Sequence, residues 1–125
     1  MNVVDSSGWL EYLVDGANAD FFEPPILDGE HLIIPTICLY EVCKRALVQF
    51  DEERALAAIG NMSEGMLVEL DGSIAIEAAH LSLDLKLSMA DSFILATARV
   101  YDATLWTQDA HFKAIDGVRY IEKKG

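Results

Sequence analysis

Four carboxylates in this sequence stand where a short apolar run ends or a helical pattern begins: Asp5, Glu41, Asp91 and Asp109. Acids just past strand ends matter most in an α/β chain, because sites in such folds form at the carboxyl ends of strands, where the topology switches direction. Four carboxylates gathered at one edge would repel one another, and their ionised forms would be disfavoured. A divalent cation removes that penalty. An all-oxygen donor set suits a hard ion, Mg²⁺ or Mn²⁺. A cation so held can polarise a phosphodiester, lower the pKa of a bound water and stabilise the departing oxygen, and two ions roughly 3.5–4 Å apart would serve both sides of the reaction.

Each of the four also has a plainer reading. Asp5 and Asp109 could be turn residues, Asp91 a helix cap, and Glu41 a solvated residue on a helix face. The case rests on their falling together near one predicted edge. Asp51, Glu52, Glu53, Asp71 and Glu77 serve as contrasts, because caps and polar helix faces account for all five.

The elements that must position these acids follow from apolar patterning. Met1 to Val4, His31 to Pro35, Met66 to Leu70, Ala103 to Thr107 and Val118 to Ile121 read as five short strands. Between them, Trp9, Leu10, Leu13 and Val14 recur at helical spacing. A helix opens at Pro35-Thr36 and runs to about Phe50, and another from Asp51 is ended by Gly60-Asn61. Asp71 caps a helix whose apolar stripe is Ile74, Ala78, Leu81 and Leu85. Ser88-Met89-Ala90-Asp91 has the form of a capping box before an apolar, small-residue helix to Tyr101. Asp15 to Asp28, with Gly16, Asn18 and Pro24-Pro25, reads as helix end or loop. Strands alternating with helices imply an α/β three-layer sandwich: a central, mainly parallel, five-stranded sheet flanked by helices.

Composition bounds the rest. The 125 residues fit a single domain, 1–125, and 52% hydrophobic with 24% charged residues is a globular balance. No apolar run approaches the roughly 20 residues that span a bilayer, and the N-terminus lacks a signal-like pattern, so a soluble, cytoplasmic protein without membrane contact is expected. Cys38 and Cys43 read as reduced thiols serving as small hydrophobes. His31, His80 and His111 are scattered, without zinc-site spacing. Trp9, Trp106 and Tyr101 read as core packing rather than a base-stacking platform. A formal net charge of −12 argues against nucleic-acid binding through a broad basic surface.

The ordered set resembles PIN-domain ribonucleases, and within them the VapC toxins of bacterial and archaeal toxin–antitoxin pairs. The resemblance is carried by Asp5-Ser6-Ser7 after the first strand, by Glu41 in the helix after Pro35-Thr36, by Met89-Ala90-Asp91-Ser92-Phe93-Ile94-Leu95-Ala96-Thr97-Ala98, and by Leu105-Trp106-Thr107-Gln108-Asp109-Ala110-His111-Phe112. It spans Asn2 to Ile121. It implies Asp5, Glu41, Asp91 and Asp109 as a metal-binding quartet and Thr107 as a supporting hydroxyl, with Ser6 in a similar place beside Asp5. It also implies a PIN-like fold, Mg²⁺- or Mn²⁺-dependent hydrolysis of RNA, a homodimer, and a VapB-type antitoxin whose C-terminal segment blocks the groove. Lys44 and Lys86 are the preferred phosphate contacts, on helices that also feed the acidic edge, although a solvated surface lysine is the ordinary fate of each.

Three other functions compete. A haloacid-dehalogenase-like phosphatase would want a second Asp two residues past the first, where Ser7 stands. A receiver-like domain would want paired acids after the first strand and an acceptor Asp after the third. A catalytically inactive PIN-like module that only binds a protein partner would need none of the acids, yet all four and Thr107 are present.

Overall fold

The computed structural model describes residues 1–124. Five short strands are formed: β1 (Asn2–Val4), β2 (Leu32–Pro35), β3 (Met66–Val68), β4 (Thr104–Thr107) and β5 (Val118–Tyr120). Six helices accompany them: α1 (Ser6–Leu13), α2 (Ala19–Leu27), α3 (Thr36–Gln49), α4 (Glu52–Met62), α5 (Gly72–Leu85) and α6 (Met89–Val100). The sheet order is β3-β2-β1-β4-β5, and every pairing is parallel. The chain builds outward from β1 to β3 and then crosses back to lay β4 on the other side of β1. The switch point therefore lies between the carboxyl ends of β1 and β4, where Asp5 and Asp109 stand.

The strands are apolar because both faces of the sheet are covered. Val3, Val4, Ile33, Ile34 and Leu105 are buried with Trp9, Phe22, Ile94, Leu95 and Phe112 in one core. Trp9 is a core residue. Trp106 is half-buried, packs its ring 5.2 Å from that of Phe21 and donates from Nε1 to Asn2 Oδ1 at 2.9 Å. Tyr101 departs from the core reading: it follows α6 and is exposed.

Two helices differ from expectation. The segment read as loop holds α2, with Pro24 and Pro25 inside it. The prolines remove backbone donors, but Ala19, Phe22 and Ile26 share one buried stripe, and that burial outweighs the loss. Helix α4 runs through Gly60-Asn61 to Met62, whose buried side chain holds the last turn on the core. Asp51 and Asp71 are N-caps, accepting from Arg54 N and Ile74 N at 2.9 Å each, as their contrast role required.

Gly8 sets how α1 meets α2. A Cβ there would lie 2.6 Å from Phe22 Cε1 and 2.8 Å from Val4 Cγ1. Gly8→Ala is expected to destabilise the chain by about 1–3 kcal/mol through this overpacking, read as a lower urea midpoint. An unchanged midpoint would show that α2 can shift freely. Among the described residues, no helix is long and apolar enough to cross a membrane.

Candidate active site

Parallel pairing of β1 with β4 aligns Val4 with Trp106, and Asp5 N extends the ladder by donating to Trp106 O at 3.1 Å. The next residues, Asp5 and Thr107, are thereby brought together. Thr107 Oγ1 donates to Asp5 Oδ2 at 2.5 Å and accepts from Asp109 N at 2.9 Å, so one buried hydroxyl ties the two strand ends. Asp5 is also the N-cap of α1, accepting from Gly8 N at 2.8 Å, and Ser7 Oγ donates to both of its oxygens at 2.9 and 3.0 Å. The cap reading and the site reading of Asp5 are both true.

Asp5 is only 3% exposed. Burial pushes its carboxyl up from 3.8 to about 6, with the Asp109 charge adding to the rise; the donors Thr107, Gly8 and Ser7 oppose it without cancelling it. Asp91, half-buried in the first turn of α6, is raised by burial and then by the charge of Asp109, against the lowering influence of Ser88 and His111. Ser88 Oγ caps that helix, accepting from Asp91 N at 3.3 Å. Glu41 on α3 accepts from Ser6 Oγ at 2.7 Å.

The buried thiol of Cys38 feels three of these charges. Burial pushes its pKa up, and the charges of Asp5, Glu41 and Asp91 push it further. Charges from the end of β1, from α3 and from α6 thus reach this one buried thiol, and Asp109 couples electrostatically to both Asp5 and Asp91.

Not every candidate arrives. Ser6 serves Glu41, and Ser7 takes the place beside Asp5 that Ser6 was expected to fill. Lys44 lines an apolar groove between α3 and α4, its ammonium 5.8 Å from the Tyr40 ring centroid. Lys86 is exposed in the left-handed residue that closes α5. Among the described residues, neither lysine pairs with a carboxylate.

His111 was set aside on spacing, yet it joins the cluster. Asp109 caps a short 3-10 turn over Ala110–Phe112 and accepts from His111 N at 2.9 Å, which folds the imidazole back. His111 Nδ1 lies 3.2 Å from Asp109 Oδ1 and 3.4 Å from Asp91 Oδ2. One ligand atom from each of Asp91, Asp109 and His111 falls within 4.8 Å of the others, a span that a single divalent ion can bridge. The Asp-Ala-His spacing on a capped turn was the available signal.

The family model for the PIN domain matches residues 3–118. This chain belongs to the PIN domain family. That membership sets aside the phosphatase-like and receiver-like readings. The PIN domain is similar in structure to a toxin–antitoxin complex from Klebsiella pneumoniae, with a TM-score of 0.78, 23% identity, and coverage of 95% of this chain and 96% of that one. It is similar to DNA-bound VapBC from Salmonella typhimurium, with a TM-score of 0.75, 20% identity and 98% of each chain covered. It is also similar to VapC20 from Mycobacterium tuberculosis, described as a sarcin–ricin loop cleaving toxin, with a TM-score of 0.75, 14% identity, and coverage of 93% and 95%. No curated protein matches the chain in sequence.

Proposed function

We propose that this PIN domain is a divalent-metal-dependent endoribonuclease, the toxin of a toxin–antitoxin pair, with Asp5, Glu41, Asp91 and Asp109 as its acidic centre. The observation that supports the reading is the clustering of Asp91, Asp109 and His111 ligand atoms within 4.8 Å of one another, beside an Asp5 that the Thr107 hydroxyl ties to the backbone of Asp109. The donor set fits Mg²⁺ or Mn²⁺, because it is dominated by carboxylate oxygens, and the fold disfavours two of these carboxylates, Asp5 and Asp91, in ionised form. A divalent cation bound there would supply Lewis-acid activation of the phosphodiester and a more acidic water.

The chain's own residues divide the work. Asp91, Asp109 and His111 would hold the ion, since one ligand atom from each lies within reach of the others. Asp5 would add negative charge to the ion's surroundings, tied to the Asp109 backbone through Thr107. Its carboxylate offers about four lone-pair directions, and the donors Gly8, Ser7 and Thr107 take most of them, fixing the group and leaving little freedom for anything but a cation or its water. Glu41 on α3, held by the Ser6 hydroxyl, would orient a water of the ion. Thr107 is a positioning residue, since its hydroxyl reaches Asp5 and the Asp109 backbone.

The partners that accompany this reading are an RNA substrate, a VapB-type antitoxin and a second copy of the chain. The toxin–antitoxin complexes among its structural neighbours support it. Incubating the chain with a panel of RNAs in Mn²⁺ or Mg²⁺ is expected to give endonucleolytic products, none in EDTA, and products again once Mn²⁺ exceeds the chelator. Cleavage that persists in EDTA, or no cleavage with either ion, would overturn the assignment.

A further inference from the structure

RNA carries one negative charge per nucleotide, and this chain holds 9 basic residues against 21 acidic ones. Where the phosphates and bases rest is therefore a sharp question. Among the described residues, neither Lys44 nor Lys86 forms an ion pair with the acidic centre, and Lys44 lines a different groove. A cavity of about 430 Å³ does. Ser7, Gln108, Asp109, Tyr120, Glu122 and Lys123 line it, so it shares Asp109 with the carboxylate cluster and Ser7 with the Asp5 network. Its volume lies in the range of small-ligand sites.

The lining suits a nucleotide. Tyr120 offers an aromatic ring at the end of β5, the kind of surface on which any base can stack. Two ammonium groups attend it: Lys123 in the cavity wall, and Lys113, whose Nζ lies 6.0 Å from the Tyr120 ring centroid. Arg119 does not join them, because its guanidinium stacks 4.5 Å from the Trp106 ring. Gln108 is 5% exposed and held by Asn18 Nδ2, which donates to its Oε1 at 3.0 Å. Its Nε2 has only a long 3.5 Å contact to Ser7 O, which leaves donor capacity in the cavity wall.

We infer that this cavity is the subsite for the RNA nucleotide adjoining the scissile phosphate, with its base on Tyr120 and its outer phosphate on Lys123. The inference rests on the nuclease reading above and adds to it the path of the substrate: off the acidic centre toward β5, not along α3 or α5.

The test is fluorescence anisotropy with a labelled single-stranded hexaribonucleotide and the full chain carrying Asp91→Asn, so that no turnover occurs. In that background, Tyr120→Leu is expected to weaken binding at least about fivefold, the effect of losing one base stack. Tyr120→Phe is expected to stay within about twofold, which separates stacking from a folding defect. Lys123→Gln should reduce the slope of log affinity against log salt by roughly 0.7, one phosphate contact on a single strand. Lys44→Gln and Lys86→Gln should leave affinity and slope unchanged. Parent-like binding by Tyr120→Leu and Lys123→Gln, while the unmutated chain still cuts RNA, would overturn the subsite alone. Absence of both RNA binding by the parent and RNA cleavage by the unmutated chain would overturn the nuclease reading with it.

Discussion

Asp91→Asn is expected to lower RNA cleavage at least about a hundredfold, the scale of removing a group that acts on the transition state through electrostatics or a metal, while the metal-free chain melts at an equal or higher temperature. The two halves have one cause. Asp91 is half-buried, and burial together with the Asp109 charge disfavours its ionised form. Asparagine keeps the shape and removes the charge, and the Ser88 cap acts on the backbone of residue 91, which the substitution leaves in place. Asp71→Ala supplies the opposite pattern. It removes the cap of α5 at about 1 kcal/mol of stability and leaves cleavage by the folded chain intact. Gel assays of cleavage beside thermal melts of both variants check the pair. Activity in Asp91→Asn, or a parallel loss of activity in Asp71→Ala below its melting range, would show that the carboxylates are not specialised as proposed.

The stability of the metal-free chain is expected to fall as pH rises from about 4 to about 6, and Asp5 is the principal reason. Its pKa in the fold is about 6, against an ordinary 3.8. A carboxyl raised in the folded state is favoured there in its protonated form, so the fold gains from it at low pH and loses as the group ionises. Above both values the penalty is complete, at about 3 kcal/mol for a shift of this size. Asp91, raised in the same direction, adds to the fall. The informative quantity is wild type minus Asp5→Asn, measured as urea midpoints in EDTA across this range, because it isolates Asp5 from the other acids of the chain. That difference should fall through pH 4 to 6, wild type losing stability relative to Asp5→Asn, and then level. Mn²⁺ at neutral pH should abolish it, because a bound cation makes the ionised carboxylates favourable. A flat difference, or one of opposite sign, would contradict the account of Asp5.

The sequence was legible where local chemistry and tertiary demand agree. The inner strands β1, β2 and β4 are apolar because the sheet is covered on both faces there, and all five strands fall within a residue or two of their expected positions. Ser88 and Asp71 announce their helices through capping, which is a local signal. Legibility failed where tertiary packing decides. Pro24-Pro25 argues locally against a helix, and only the burial of Phe22 and Ile26 explains α2. At the site, residue adjacency could not tell Ser6 from Ser7. Ser7 turns back to the cap at Asp5, whereas Ser6 points across to Glu41, a partner 35 residues away. His111 was missed because metal-site spacing rules look for paired ligands, and here a capped turn makes the pairing. Lys44 was drawn to the site by lying on the same helix as Glu41, but its side chain borders the α3–α4 groove.

The most direct test of the central claim is anomalous scattering from crystals of the full chain soaked in Mn²⁺. The account predicts a peak at the carboxyl ends of β1 and β4, within about 2.0–2.3 Å of oxygens of Asp91 and Asp109, with Asp5 and Glu41 reaching it directly or through one water. Asp91→Asn soaked in the same way should lose the peak. A wild-type site that stays empty at saturating Mn²⁺, or a peak held by other residues, would contradict the claim that these four acids form a shared cation site.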